Sequence, residues 1–310
     1  MVFAFVITGF LGVGKTTLMI NSIKEYFSDR KIAVIVNEFG EIGIDGKILK
    51  NVYSEVLEIS EGCICCKLSE EFEKGVIEIM RNYNPEVIFV ETSGTSEPFP
   101  IFLSLQNLGI SVEGIICVID AKNFDSYKEH ATAKYQIGGS NILVLNKTDL
   151  VSEVELEKVE KEVKEYKEKY NLKNVLTGEV IFKTYALYKA QYGKLPKEVF
   201  DGIYKIEDIV KIGEEGIPSA HHLKKNDFSQ RVVYLPEGIE FKEIDKYLSN
   251  VPKNIYRIKG IIKAKDLPTP VVVNYAFGDL TFQELPNYKG RSFLVFIGSN
   301  LSNKHLIQLN

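Results

Sequence analysis

The chain has little net charge, no long apolar run and few cysteines. Over 310 residues its formal charge is only −4, so no global field would gather nucleic acid or an anionic membrane, and neither is expected as a partner. No apolar run approaches the roughly 20 residues that span a bilayer. Four cysteines, three of them within four positions, make no disulfide framework, and a reducing cytoplasm is the expected setting. The apolar start, Met1 to Leu11, lacks the basic leader of a signal peptide and runs straight into a glycine-rich loop. It reads as a first buried strand. Internal repeats and low-complexity tracts are also missing. With 45% hydrophobic and 26% charged residues, the composition is that of a globular protein long enough for two cores.

What is present is alternation. Strand and helix signals alternate through about residue 170, the pattern of a parallel sheet wrapped by helices. Val2–Thr8, Ile32–Val36, Val56–Ile59, Val87–Val90, Ile115–Ile119 and Ile142–Leu145 are short apolar runs that end in polar or glycine-rich loops, as buried parallel strands do. The clearest helix runs from Ser152 to Tyr170, where Leu156, Val159, Val163, Tyr166 and Tyr170 recur at three- and four-residue steps. Its remaining Glu and Lys read as a solvated face. Beyond about Asn171 the pattern weakens, and the stretch holding Gly213, Gly216, Pro218, His221 and His222 reads as a linker. Arg231–Leu235, a helical Phe241 to Leu248, Ile255–Ala264, Val271–Tyr275, Thr281–Leu285 and Phe293–Ile297 then suggest a small α+β domain with mostly antiparallel strands. The expected division is 1–190, a linker over 191–227, and 228–310.

Four short motifs carry chemistry. Gly9-Phe10-Leu11-Gly12-Val13-Gly14-Lys15-Thr16 matches G-x-x-x-x-G-K-[ST] between an apolar strand and a helical pattern. Its glycines let bare backbone N–H groups approach a triphosphate, and the following helix N-terminus adds a favourable dipole. Lys15 is expected to reach the β and γ phosphates, Thr16 to hold Mg²⁺, and Thr17 to contact the α phosphate. Asn146-Lys147-Thr148-Asp149 follows the strand Ile142–Leu145. There the Asp149 carboxylate would accept from the N1 and N2 hydrogens of guanine, a donor pair that adenine lacks. Glu91-Thr92-Ser93-Gly94 follows Val87–Val90, so Gly94 can offer its N–H to the γ phosphate. Glu91 can bind Mg²⁺ through water or orient the attacking water. Cys63-Ile64-Cys65-Cys66 lies in a glycine-flanked loop. Three such thiols can wrap one Zn²⁺, Cu⁺ or Co²⁺ ion and leave a fourth position for an oxygen ligand or an acceptor protein. The same trio would also serve as a closed structural zinc site or a redox-sensing cluster. Cys117, inside Ile115–Ile119, reads as core.

Together with Asn37-Glu38-Phe39-Gly40-Glu41-Ile42-Gly43-Ile44-Asp45 and Pro98, these motifs closely resemble, in content and order, the CobW-like GTPases, kin of UreG and HypB. Tyr256-Arg257-Ile258-Lys259-Gly260 and Val295-Phe296-Ile297-Gly298 resemble the CobW C-terminal domain, so the resemblance covers nearly the whole chain. It implies an α/β P-loop domain with a mostly parallel sheet, followed by a smaller α+β domain. The activity implied is Mg-dependent GTP hydrolysis that delivers zinc or cobalt to a client metalloprotein or cofactor-assembly complex, with a nucleotide-dependent dimer as an option. The alternative is a regulatory GTPase whose thiols sense metal or redox state without delivery. The resemblance places Cys63, Cys65 and Cys66 at the metal site and makes Asn37 to Asp45 the first switch, with Glu38, Glu41 and Asp45 as candidate metal or Mg²⁺ carboxylates. Two features depart from the pattern. In place of a long histidine-rich stretch this chain has only His221 and His222, linker residues or auxiliary ligands, and it has no tryptophan.

Overall fold

The computed structural model describes residues 2–38, 56–60, 67–174, 177–201, 228–286, 288–302 and 306, and the structural statements here concern those residues. The chain forms two compact units, Met1–Lys224 and Lys225–Asn310. In the first, six strands come from the apolar runs, β1 (Phe3–Thr8), β2 (Ile32–Glu38), β3 (Val56–Ser60), β4 (Val87–Glu91), β5 (Ser111–Asp120) and β6 (Ile142–Asn146), and a seventh, β7 (Ala186–Lys189), from a stretch with no such run. They pair in the order β3-β2-β4-β1-β5-β6-β7, and every pairing is parallel. β4 and β6 are buried along their whole length. Both faces of such a sheet are covered, which is why its strands read as unbroken apolar runs rather than alternating ones.

The helices between them are α1 (Lys15–Tyr26), α2 (Lys67–Asn82), α3 (Phe99–Asn107), α4 (Phe124–Tyr127), α5 (Ala131–Gly138) and α6 (Glu153–Tyr170). On one face, Phe72 and Val76 of α2 and Phe102 and Leu105 of α3 join Val6, Ile35, Ile88 and Val90 in one core. On the other, Phe5 stacks on Phe89 at 5.4 Å, with Phe27 and Phe200 edge-on to Phe5. Phe200 belongs to residues 191–201, which the sequence suggests are linker but which pack on the first unit. Tyr26 Oη donates to Leu195 O at 2.6 Å and Asn21 Nδ2 to Tyr192 O at 2.7 Å. An irregular sequence hides this anchoring because it rests on one aromatic and backbone carbonyls rather than on a periodic pattern.

α6 begins at a capping box, in which Ser152 and Glu155 satisfy each other's backbone N–H groups. Its buried stripe is Val159, Val163 and Lys167. Lys167 therefore departs from the solvated face expected for the lysines of this helix. It is four residues beyond Val163 and so faces the core, where Nζ donates to Gly138 O at 2.7 Å and Ser140 O at 2.6 Å. Burial lowers its pKa from 10.5 to about 7.

The second unit is a five-stranded sheet of β8 (Phe228–Tyr234), β9 (Ile255–Ile262), β10 (Val271–Ala276), β11 (Asp279–Glu284) and β12 (Phe293–Ser299), with one helix, α7 (Phe241–Leu248). The order is β11-β10-β9-β12-β8 and each pairing is antiparallel. Ile244 and Leu248 of α7 pack with Ile258, Val273, Leu294 and Phe296 of the sheet.

In the first unit β1 has β4 on one side and β5 on the other. The connection from β1 runs to β2 on the β4 side, and that from the adjacent β4 runs to β5 on the other side, the switch point at whose carboxyl ends ligands bind in open α/β sheets. Gly9, Thr92, Ala121 and Lys147 are the residues that immediately follow β1, β4, β5 and β6 there.

Candidate functional site

The loop from Gly9 to Gly14 joins the carboxyl end of β1 to the first turn of α1. Gly9, Gly12 and Gly14 all have left-handed backbone, with φ of 139°, 72° and 99°, which is why glycine is required at those steps. The loop is anchored through Phe10, which stacks on Tyr127 with ring centroids 4.9 Å apart and tilts against His130 at 5.2 Å. Lys15 is buried and its Nζ donates to Gly9 O at 2.9 Å and Phe10 O at 3.0 Å. The ammonium is thus held across the mouth of the loop. Thr16 Oγ1 donates to Glu91 Oε1 at 2.9 Å, which joins the start of α1 to the end of β4. Thr17 is exposed on the first turn of α1.

After β4, Thr92 donates its N–H to Ile7 O at 2.9 Å and its hydroxyl to Thr8 Oγ1 at 2.9 Å. Gly94 lies against the phosphate loop: a Cβ there would be 2.5 Å from Leu11 Cδ2 and 3.0 Å from Leu11 Cα. Further along, burial pushes the Glu97 carboxyl up to about 7. After β6, Asn146 Nδ2 donates to Val13 O at 3.0 Å and its Oδ1 accepts from Gly193 N at 3.0 Å. The polar motif at β6 is therefore bonded to the glycine loop itself. Lys147 adopts left-handed backbone, φ 62°, and its Nζ lies 2.6 Å from Asp120 Oδ2. Asp149 is exposed, in a single 3-10 turn, Thr148–Leu150.

Residues 3–173 match the CobW/HypB/UreG nucleotide-binding domain, and residues 228–309 match the C-terminal domain of the cobalamin synthesis protein CobW. The chain belongs to the CobW/HypB/UreG family. Among its relatives, a protein of Escherichia coli named zinc chaperone YjiA is 26% identical over 324 residues, covering 97% of this chain and 95% of that one. A zinc chaperone CobW of a Sinorhizobium species is 32% identical over 194 residues, covering 52% of this chain and 54% of that one. The crystal structure of Zn(II)-bound YjiA GTPase from E. coli aligns at 21% identity and a TM-score of 0.43, over 98% of this chain and 96% of that one.

In this CobW-family chain the P-loop residues Gly9, Gly12, Gly14, Lys15, Thr16 and Thr17, the Glu91 and Gly94 loop, and Asn146, Lys147 and Asp149 all lie at the carboxyl edge of one sheet. Asn37 and Glu38 end β2 at the same edge. Glu41, Asp45, Cys63, Cys65, Cys66, His221 and His222 lie outside the described residues. Cys117 sits in β5 as core, buried, with its thiol pushed up to about 12 by desolvation. Sequence reasoning missed three groups. Asp120 ends β5 and accepts from the backbone N–H of Lys122 and Asn123 at 3.0 and 3.1 Å, as well as from Lys147. An acidic residue closing an apolar strand was its one available signal. Ala190 accepts the N–H and hydroxyl of Thr148 at its carbonyl, so the turn after β7 is built against the Asn146–Asp149 motif. Gln136, on α5, donates to the Gly94 loop.

Proposed function

We propose that the protein binds Mg-GTP along this edge, hydrolyses it, and uses the cycle to take up and hand over a transition-metal ion, zinc foremost and cobalt second. The observation that carries the nucleotide part is the hydrogen bond from Asn146 Nδ2 to Val13 O at 3.0 Å. It ties a base-reading motif to a phosphate-binding loop, as one pocket with a base end and a phosphate end requires. At the base end, Asp149 accepts from guanine N1 and N2, with Lys147 held in place by Asp120 and Asn146 securing both loops. At the phosphate end, Lys15 exchanges its loop carbonyls for β and γ phosphate oxygens, and the Gly94 N–H marks the γ phosphate. Thr16 Oγ1 and Glu91 Oε1, 2.9 Å apart, are hard oxygen donors of the kind Mg²⁺ takes. When bound, the ion offsets charge on the phosphate oxygens. Glu91, in addition, is the carboxylate of choice for orienting the attacking water.

The metal part rests on the spacing of Cys63, Cys65 and Cys66, on Glu41 as an oxygen ligand, and on membership of a family in which relatives carry the name zinc chaperone. Here the metal is cargo, passed to a client metalloprotein or cofactor-assembly complex. The test is nucleotide-dependent transfer: reduced, zinc-loaded protein is mixed with a chelating acceptor in the presence of GDP or of a non-hydrolysable GTP analogue. A transfer rate that depends on the nucleotide supports delivery. Dispensable metal together with reversible thiol oxidation would point to a regulatory GTPase instead.

A further inference from the structure

The loop that leaves β4 is gripped by a side chain outside every nucleotide motif. Gln136 is 1% exposed, and its Nε2 donates to two carbonyls of that loop, Gly94 O at 3.3 Å and Ser96 O at 3.0 Å. An amide nitrogen has two N–H groups, and both are committed here. Exchanging nitrogen and oxygen would set one carbonyl oxygen against two others, so the acceptor environment fixes the orientation. The remaining atom, Oε1, is buried and has no hydrogen-bond partner.

The helix that carries Gln136 is a firm post. Lys167 Nζ donates to Gly138 O and Ser140 O at its carboxyl end, and Ser140 Oγ donates to Gln136 O at 2.7 Å. Gly138 lies so close to the end of α6 that a Cβ would be 2.0 Å from Tyr170 O. The loop end of the contact is equally close, because Gly94 lies directly on Leu11 of the phosphate loop. Gln136 therefore spans from a fixed helix to the segment expected to respond to the γ phosphate.

We propose that Gln136 is a positioning residue of the GTPase cycle, holding the carbonyl groups of Gly94 and Ser96 and offering its buried Oε1 to a loop N–H when the loop closes on γ phosphate. The idea rests on the GTPase reading above and adds to it the element against which the γ-phosphate loop works. A buried acceptor left unmade is costly. It favours a second loop arrangement in which the bond is made, so one amide has a partner set for each of two states, as a switch requires. The side chain acts through the loop, because its donors are engaged by loop carbonyls.

Gln136→Met removes donors and acceptor at nearly unchanged volume. Fluorescent GDP and a fluorescent non-hydrolysable GTP analogue are titrated into wild type and variant with Mg²⁺, and single-turnover hydrolysis is followed in parallel. The expected result is GDP affinity within about twofold of wild type, with analogue affinity and hydrolysis each lower by about tenfold, the scale of one or two buried hydrogen bonds. Equal weakening of both nucleotides would mean a structural tether, and no change would mean no role. Either overturns the proposal. Amide hydrogen exchange of residues 93–96 in the wild type supplies a second reading if the variant does not fold. Greater protection with the analogue than with GDP is expected, and equal protection overturns the proposal. Wild-type protein that binds no guanine nucleotide would overturn the GTPase reading and this proposal with it. Normal wild-type turnover with an unaffected variant overturns this proposal alone.

Discussion

Gly14 shows at the scale of one residue how the two ends of the pocket depend on each other. Its φ of 99° is left-handed, and a Cβ there would lie 2.6 Å from Asn146 Nδ2. Gly14→Ala should therefore strain the phosphate loop and at the same time push away the amide that bonds Val13 O. GDP affinity should fall by about tenfold or more, a loss that isothermal titration would detect; undiminished affinity would mean the loop tolerates the displacement. Asp149→Asn replaces an acceptor by an amide that suits the extra carbonyl of xanthine. GTP affinity should drop on the order of 100-fold while XTP affinity rises, and competition between the two nucleotides checks it. Wild-type protein that binds ATP as tightly as GTP would refute the base assignment. Lys15→Ala removes the cation nearest to the γ-phosphate oxygens, so turnover should fall by about 100-fold or more. Unchanged phosphate release would rule out the role given to the loop.

At the scale of elements, α5 and α6 form the support behind the nucleotide edge, and Lys167 makes that support sensitive to pH. In the folded chain its amine titrates at about 7, against an ordinary 10.5. Between those values the unfolded chain holds a proton that the folded chain has lost, so this group adds stability as pH rises through the window and withdraws it as pH falls toward 7. The stability of wild type relative to Lys167→Met, from denaturant unfolding, should thus increase from about pH 7 to about pH 10. A difference that stays flat would contradict the buried amine. Lys167 also shows where sequence reading stops. The apolar stripe of α6 was legible from Val159 and Val163, but a lysine on the same stripe looks like one more solvated charge until the carbonyls of Gly138 and Ser140 are placed beside it. The first six strands were legible because runs such as Ile142–Leu145 are apolar throughout. β7 was not, because Ala186–Lys189 is four residues long with only Ala186 buried. Gln136 was invisible for a related reason: Ala131–Gly138 carries no amphipathic pattern strong enough to show which face is inward. The glycine loop, Glu91 and the Asn146–Asp149 motif were legible because each needs particular residue types in a fixed order, whatever surrounds them.

At the scale of the whole molecule, a nucleotide edge on a parallel sheet is followed by an antiparallel unit with its own core, and Cys63–Cys66 falls in sequence between Asn37–Asp45 and Glu91–Gly94, the segments proposed as first switch and γ-phosphate loop. That order lets one rearrangement, set by the γ phosphate, change the ligands offered to a metal ion. If so, metal and nucleotide must be coupled reciprocally: whatever factor Mg-GTP adds to metal affinity, metal adds to Mg-GTP affinity. Because thiols bind metal only after losing protons, metal affinity should also weaken as pH falls. The most direct test titrates Zn²⁺ into reduced protein against a buffered competitor, once with GDP and once with a non-hydrolysable GTP analogue. The account predicts zinc affinities that differ between the two nucleotide states by roughly 5- to 150-fold, with the difference lost when Cys65 or Cys66 is changed to Ser. Equal affinities in the two states would contradict it.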